Sequence, residues 1–254
     1  MVCGKGEHPK IDGRIVPGDF RRMLVCLDAF VKTGRPPDIT DKKSGHTLHP
    51  IGWVYFNSEG GDVSEAIKIG KFLRQSLAEV VVSGNCFSAC FLAVVGAVEL
   101  YGGNSDEKIG IHRVFLDSET LRRTEIKEYE TYYNELRKRV REYLSELDVS
   151  TPIVEKMFSV SSREIYILSD ADMRALNNHP AYEEWINARC PNGLSVEERE
   201  DYKTYNRSGR MNGHFSDGYV DYLKTKASNY RKCVDSTRWA QFEKTVAEHL
   251  MSSH

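Results

Sequence analysis

Long hydrophobic runs are absent from this sequence. The stretch from Phe87 to Leu100 comes nearest, but it is too short for a membrane-spanning helix and is interrupted by Gly96 and Glu99. The first residues, MVCGKGEHPK, contain no apolar core of a signal peptide. We therefore expect a soluble protein with no membrane span. Its compartment stays open, with the cytoplasm ahead of the periplasm, since a signal peptide removed earlier would leave no trace in this chain.

An excess of charge of one sign is also lacking, and cysteine is scarce. The 35 Lys and Arg residues nearly balance the 37 Asp and Glu residues, so the net charge is −2 and we expect no nucleic-acid partner. Six cysteines are too few for a disulfide framework, and they do not decide the compartment. With 254 residues, 40% of them hydrophobic, the chain is long enough for one large domain or one domain with an appendage.

A serine at a strand–helix turn is the centre of the sequence pattern. The apolar run Val80 to Val82 predicts a buried strand that ends at Ser83-Gly84 and is followed by a small-residue turn. A helical apolar stretch begins near Ala89, so Ser88 falls at the start of a helix. Free backbone N–H groups at a helix start favour negative charge, which makes Ser88 a candidate nucleophile. A serine in this position can also simply cap the helix.

Two further motifs lie on either side of this serine. Upstream, Asn57 to Asp62 (NSEGGD) follows the strand-like run Ile51 to Phe56 and precedes an amphipathic helix. The Gly60-Gly61 pair lets backbone N–H groups face a reacting carbonyl, because no Cβ stands in the way. Downstream, His112 ends another short strand. Oxyanion donors, a nucleophile and a base thus each follow a strand, where α/β sheets collect their chemistry.

The alternation of strands and helices predicts an α/β fold with parallel strands and right-handed crossovers. Short apolar runs mark the strands, at 14–16, 51–56, 80–82, 108–112 and 164–168. Residues 1–13 are interpreted as a polar lead-in and residues 33–50 as a long surface loop, whose His46 and His49 we expect to be solvated. A long, charged, amphipathic helix is predicted from Leu116 to Leu147.

Three of these segments resemble the proteolytic subunit of the Clp protease. NSEGGDVSEAIKIGKFLR is similar to that family's NSPGG-plus-helix segment, GNCFSACFLAVVGA to its nucleophile turn, and KIGIHR to its strand ending in the catalytic histidine. The spacing also agrees, since Ser88 lies 27 residues after Gly61 and His112 lies 24 residues after Ser88. The resemblance covers roughly Arg14 to Asn177.

The resemblance implies a ClpP/crotonase-like fold, which is a spiral of βαβ units with a long projecting helix used in subunit assembly. It implies Ser88 as nucleophile, His112 as general base, and the N–H groups of Gly61 and Ala89 as the oxyanion hole. It further implies a homo-oligomer that acts on a peptide or protein substrate and requires no cofactor and no metal.

The acid of a catalytic triad is not evident. Alignment with the family places Ile165 at the aspartate position, and Glu164 is the nearest carboxylate. The Ser162 hydroxyl is an alternative, which would orient the histidine by a neutral hydrogen bond. A second departure is Glu59, which stands where the family usually has proline.

Cys86 and Cys90 flank Ser88. This pattern resembles a divergent bacterial branch of Clp-like proteins more than it resembles the housekeeping protease. We interpret both as packing residues, because buried cysteine is usually a small hydrophobic side chain and two cysteines do not complete a zinc site. A redox or metal role is the alternative.

The composition becomes polar and aromatic near residue 180, which predicts two parts: a Clp-like core over 1–179 and a mostly helical extension over 180–254. Helices are predicted from Ser195 and over Trp239 to Leu250, with a glycine-rich loop over 206–218 between them. Cys190 and Cys233 are the pair that we expect to bridge in an oxidising compartment, and in a cytosolic protein both would stay free thiols.

The leading hypothesis is a serine hydrolase, with a peptidase first. The alternative is a non-catalytic Clp-like scaffold or assembly protein, because loss of the triad acid can cost about 10⁴ in kcat in a model serine protease. A crotonase-type acyl-CoA enzyme is a third hypothesis, and it would leave Ser88 and His112 without a role.

Overall fold

The computed structural model describes residues 8–33, 39–40, 47–48, 54–102, 107–115, 126–208 and 215–252. Strands and helices alternate over the first half of this part, and only helices follow the last strand. The strands are β1 (Lys10–Asp12), β2 (Ile39–Thr40), β3 (Thr47–Leu48), β4 (Val54–Ser58), β5 (Glu79–Phe87), β6 (Glu99–Tyr101), β7 (Lys108–Ile111) and β8 (Tyr166–Ile167). The helices are α1 (Asp19–Lys32), α2 (Val63–Gln75), α3 (Ala89–Val94), α4 (Ile126–Glu146), α5 (Thr151–Ser159), α6 (Asp170–Leu176), α7 (Pro180–Arg189), α8 (Val196–Ser208) and α9 (Asp217–Met251).

A six-stranded sheet forms the centre of the α/β part. Its order is β1-β4-β5-β7-β8, and β6 also pairs with β5. The long strand β5 serves two neighbours, because its first half pairs with β6 and its last three residues pair with β7. All these pairings are parallel except that of β7 with β8. The sheet is therefore mixed, and the predicted parallel pairing is confirmed for its central strands.

The first strand lies earlier than predicted. β1 pairs with β4 in parallel, and its Ile11 side chain is buried. The predicted strand at 14–16 is wrong, because only Ile15 of that segment forms a bridge, with Gly61. The predicted surface loop over 33–50 contains the short antiparallel pair of β2 and β3. His46 and His49 lie outside the described residues.

Strand β5 runs five residues further than its apolar run. The strand end predicted at Ser83-Gly84 is wrong, since the strand continues to Phe87. Two neighbouring segments form hydrogen bonds with this extension of the strand. The Asn57 side chain accepts from the Asn85 N–H at 3.1 Å, and β7 pairs with the last residues of the strand. The turn into α3 thus falls on Ser88 alone.

The described part of the predicted long helix is α4, and 116–125 lie outside the described residues. Its C-terminal half packs on the sheet unit: Val140, Tyr143 and Leu144 are buried, and the Tyr143 hydroxyl donates to the Leu92 carbonyl at 2.7 Å. Arg141 pairs with Glu155 of α5. The beginning of the helix is more exposed. Packing of its second half on its own unit therefore accounts for that half of the apolar stripe.

The chain divides into two compact units, Met1–His179 with Gln241–His254, and Pro180–Ala240. The end of α9 groups with the sheet unit, where the Gln241 side chain donates to the Gln75 carbonyl. In the second unit, Cys190 and Cys233 form a disulfide, as predicted for an oxidised chain. The assignment of the whole of 180–254 to an appended domain stays a prediction. No helix among the described residues is both long and apolar enough to cross a membrane.

Candidate active site

One cavity collects most of the predicted site residues. Its volume is about 580 Å³, within the range of ligand-binding sites. Ser88, His112, Gly60, Gly61 and Ala89 all lie on its wall. The tertiary structure thus brings the predicted nucleophile, base and oxyanion donors to one space, although they come from three separate segments.

Ser88 has an unusual backbone conformation. Its φ is 59° and its ψ is −124°, in a region that residues with a side chain rarely adopt. Its N–H donates to the Gly110 carbonyl of β7, and its carbonyl accepts from Phe91. The hydroxyl makes no capping hydrogen bond to α3, so the simple interpretation of Ser88 as a helix cap does not account for it. Strain of this kind clusters at functional sites.

The Gly60-Gly61 segment, called the glycine strap below, lies against Ser88. Both glycines have positive φ, 104° and 143°. A Cβ on Gly60 would lie 2.8 Å from the Ser88 Cβ and 3.1 Å from the Ala89 nitrogen. Only glycine therefore permits this approach. The buried Ser58 hydroxyl accepts from the Gly60 N–H at 3.1 Å and so fixes the turn into the strap.

Two backbone N–H groups beside Ser88 have no hydrogen-bond partner within the described ranges. In the part of the chain that the structure describes, no acceptor receives the N–H of Gly61 or of Ala89. Ile15 bonds to the neighbours of Gly61 instead, because its N–H donates to the Gly60 carbonyl and its carbonyl accepts from Asp62. Backbone N–H groups inside proteins are rarely unpaired, so an acceptor atom of a ligand would satisfy these two.

His112 directly follows β7 and is 8% exposed. Its Nδ1 lies 2.9 Å from the carbonyl oxygen of Arg113. Because a carbonyl can only accept, Nδ1 carries the proton and donates, and Nε2 of the neutral ring is then the nitrogen that can accept one. Among the described residues, no hydrogen bond joins Ser88 Oγ to the ring. Such bonds are often long in unliganded enzymes.

Among the described residues, no hydrogen bond joins the predicted acid, Glu164, to His112. Residues 161–165 contribute Ser162, Arg163 and Ile165 to the cavity wall, whereas Glu164 is exposed and lies off that wall. No carboxylate within the described ranges hydrogen-bonds to His112. The Arg113 carbonyl instead occupies the position at Nδ1 where a triad has its acid.

The rest of the cavity wall combines apolar side chains with charged side chains of both signs, including the carboxylates of Glu59 and Asp62. Leu92, Leu136 and Met157 are apolar, and the exposed Arg14 and Arg163 are cationic. The described residues contain no group of three or more His, Cys, Asp or Glu side chains that could hold a metal ion.

Cys86 and Cys90 form a disulfide, which corrects their interpretation as two separate packing residues. Cys86 lies in β5 and Cys90 in α3, so the bond spans the turn at Ser88. Both residues are completely buried. A spacing of four residues is visible in the sequence, but whether the sulfurs meet depends on the conformation of the turn between them.

Three contributions to the site are missing from the sequence interpretation. Ser58 fixes Gly60, Ile15 holds the backbone on both sides of Gly61, and the Arg113 carbonyl holds His112. Only the first has a sequence signal, a serine two residues before a glycine. The other two act through backbone groups, which every residue type carries.

Comparison with known proteins shows similarity to solved structures. No family model matches this chain, and no curated protein matches it. Among solved structures, the chain is similar to a ClpP1 mutant from Listeria monocytogenes, with a TM-score of 0.44 and 16% sequence identity. The match covers 68% of this chain and 88% of that one. A likeness at this level carries no functional argument, so the geometry of the site has to support any function.

Proposed function

We propose that this protein is a Clp-like serine hydrolase that cleaves peptides. Ser88 is the nucleophile, His112 the general base, and the N–H groups of Gly61 and Ala89 form the oxyanion hole. One observation carries the proposal: Ser88 has positive φ and an uncapped hydroxyl, and it touches the glycine strap in a cavity that His112 shares. A strained serine held beside unpaired N–H groups suits attack on a carbonyl.

The reaction is an acyl transfer in two steps. Ser88 Oγ bonds to the substrate carbonyl carbon while its proton passes to His112 Nε2. The carbonyl oxygen becomes negative and accepts from Gly61 and Ala89, and removal of one such donor costs about 3 kcal/mol in a comparable enzyme. His112 then gives its proton to the leaving amine, and a water deprotonated by the same nitrogen releases the acyl group.

The Arg113 carbonyl is the proposed third member in place of an acid. At 2.9 Å from Nδ1 it orients the ring and keeps Nε2 free to accept a proton. A carbonyl is a dipole without a full charge, so it stabilises the imidazolium less than a carboxylate does. We therefore expect slow turnover, since loss of the acid function costs about 10⁴ in kcat in a model serine protease.

Peptides are the proposed substrate class because the sequence motifs resemble those of the Clp proteolytic subunit. The cavity wall agrees with this class, since Leu92, Leu136 and Met157 suit apolar side chains while free N–H groups suit a peptide carbonyl. Membership of a divergent bacterial branch stays a prediction.

Labelling with a fluorophosphonate probe tests the proposal, because the probe reacts only with an activated serine. We expect Ser88 to be the labelled residue. Ser88→Ala should abolish labelling and keep the fold, His112→Ala should slow it by at least about 100-fold, and Glu164→Gln should leave it unchanged. If folded wild-type protein does not label at all, the hydrolase proposal fails.

The second candidate is a non-catalytic scaffold. It is favoured by one observation, the lack of any carboxylate bonded to His112 among the described residues. Absence of labelling from the folded, assembled wild type would support this candidate, whereas labelling at Ser88 would reject it.

We also propose that the protein forms a homo-oligomer. Large side chains are exposed near the cavity mouth and on β8, namely Tyr132 of α4 at 54%, Ile165 at 45% and Ile167 at 42%. A surface of this kind is often covered by another subunit. Light scattering at micromolar concentration tests it, and a strict monomer would contradict it.

A further inference from the structure

We propose that the Cys86–Cys90 disulfide is a covalent clamp that holds Ser88 in its positive-φ conformation. The kinetic part of this inference rests on the proposed hydrolase function, whereas the conformational part can be measured without any activity. Cys86 and Cys90 are thereby positioning residues, which act on the reaction only through Ser88.

The disulfide connects two fixed elements. Cys86 lies inside the sheet, opposite Ser58 of β4 on one side and Ile109 of β7 on the other. Cys90 is the second residue of α3, and like Cys86 it is completely buried. Three residues, 87–89, form the link between these anchors, and Ser88 is the middle one. A bond across so short a link leaves the turn few alternative conformations.

The geometry of the bond is coupled to the backbone angles of Ser88. Rotation of φ or ψ at residue 88 changes the direction of α3 relative to β5, and with it the distance between Cys86 and Cys90. A disulfide tolerates Cα separations of only about 4.4 to 6.8 Å. The observed separation is 5.2 Å. Relaxation of Ser88 towards negative φ is therefore opposed by the disulfide.

The backbone alone holds this turn with few hydrogen bonds. Ser88 donates to Gly110 and accepts from Phe91, while the N–H of Ala89 has no partner in the described part of the chain. A non-glycine residue held in such a region is unfavourable unless its surroundings enforce it. The unpaired N–H that would bind an oxyanion thus weakens the turn, and the disulfide compensates for it.

Burial indicates a permanent clamp. Both cysteines have no exposed surface, so a dissolved thiol cannot reach the sulfurs without local opening. Two thiols also need more room than one disulfide, and a packed interior adapts poorly to added volume. Loss of the bond should therefore displace the turn at Ser88.

The experiment compares two double variants of the full chain. Cys86→Ala/Cys90→Ala removes the clamp, and Cys190→Ala/Cys233→Ala is the matched control, because it removes a disulfide that lies outside the site. Saturation kinetics with a fluorophosphonate probe should show a maximal labelling rate at least about tenfold lower for the first variant, equivalent to about 1.4 kcal/mol. The half-saturating probe concentration should not change, and the control should label like the wild type.

Hydrogen exchange of residues 87–91 is the second measurement, and it is independent of activity. We expect exchange there to be about tenfold faster in the clamp variant and unchanged in the control. Wild-type labelling rates or wild-type exchange in a folded clamp variant would each overturn the clamp. If the wild type does not label, the hydrolase proposal fails and exchange alone decides the clamp.

A variant that fails to fold does not end the test. Cys86→Ser/Cys90→Ser then replaces the alanine pair, and wild type reduced after mild unfolding and refolded without oxidant provides the third form. If either form folds and retains wild-type exchange over 87–91, the clamp is rejected.

Discussion

The two compact units of this chain are held together by different means. In the sheet unit, large side chains such as Phe56, Phe72, Phe91 and Val82 are completely buried in and around the sheet. In the helical unit, Pro180–Ala240, the buried hydrophobic side chains among the described residues are few. They are Ile186, Cys190, Val220, Leu223 and Trp239. Apolar burial thus stabilises the first unit, and the second needs further connections.

Those connections are covalent and polar. The disulfide joins Cys190, which directly follows α7, to Cys233 in α9, across a sequence separation of 43 residues. Lys226 pairs with Glu198 at 2.8 Å, and the Tyr230 hydroxyl donates to Asn187 at 2.8 Å. Of the disulfides with both ends among the described residues, that of the sheet unit constrains a five-residue turn and that of the helical unit closes a long loop. Cys26 of the sheet unit is also disulfide-bonded. A disulfide therefore constrains the conformation of a turn in the sheet unit, whereas in the helical unit a disulfide contributes to stability.

Removal of the long-loop disulfide is expected to have the largest effect on stability. In the chain-entropy model, Cys190→Ala/Cys233→Ala lowers the free energy of unfolding of the helical unit by about 4 kcal/mol. Limited proteolysis should cut α7 and α8 first, while Ser88 labelling keeps its wild-type rate. If the sheet unit lost as much stability as the helical unit, the contrast drawn between the two units would be wrong.

Gly61→Ala is expected to have the next largest effect, this time on the sheet unit. A Cβ at Gly61 would lie 2.0 Å from the Ile15 carbonyl oxygen, so the strap must move. Displacement of its N–H should lower the labelling rate about 100-fold, equivalent to about 3 kcal/mol.

The matched control is Gly13→Ala, because Gly13 also has positive φ but has nothing within 4 Å of a new Cβ. This variant should lose about 1 kcal/mol of stability and keep its labelling rate. Equal labelling by the two variants would argue against a role of the strap in catalysis.

Acid should affect the two units in different pH ranges. In the sheet unit, burial and then the nearby Arg74 lower the pKa of His179 from 6.5 to about 4. The folded state thus resists protonation, so this contribution to stability is complete above pH 6.5 and falls as the pH decreases towards 4. In the helical unit, the hydrogen bond from Lys226 and then that from Ser195 lower the pKa of Glu198 from 4.5 to about 2. Its contribution is complete above pH 4.5 and is lost between 4.5 and 2.

Thermal unfolding against pH checks this difference with one variant for each unit. His179→Gln should flatten the pH dependence between 6.5 and 4, and Glu198→Gln should flatten it between 4.5 and 2. This effect should be smaller than those of the disulfide and Gly61 variants, because each variant changes only one titratable group. Variants whose curves stay parallel to that of the wild type would contradict the assigned pH ranges.

Local sequence patterns predict correctly those features of the fold that do not depend on contacts with a distant segment. The start of α3 at Ala89 agrees with its apolar run, and the parallel pairing of β4, β5 and β7 agrees with the strand–helix alternation. The predicted end of β5 is wrong, because hydrogen bonds with the Asn57 side chain and with β7 extend the strand. Neither contact leaves a periodic signal near residues 83–87.

The sequence by itself determined which residues are candidates: a serine between a buried strand and a buried helix, a glycine pair after another strand and a histidine after a third. Periodicity and turn chemistry act over a few residues, so one sequence suffices for them. Only the tertiary structure decided that Ser88 touches Gly60, that Cys86 bonds to Cys90, and that a backbone carbonyl rather than Glu164 contacts His112. These outcomes depend on the direction of the chain at single turns and on backbone groups that are the same in every residue.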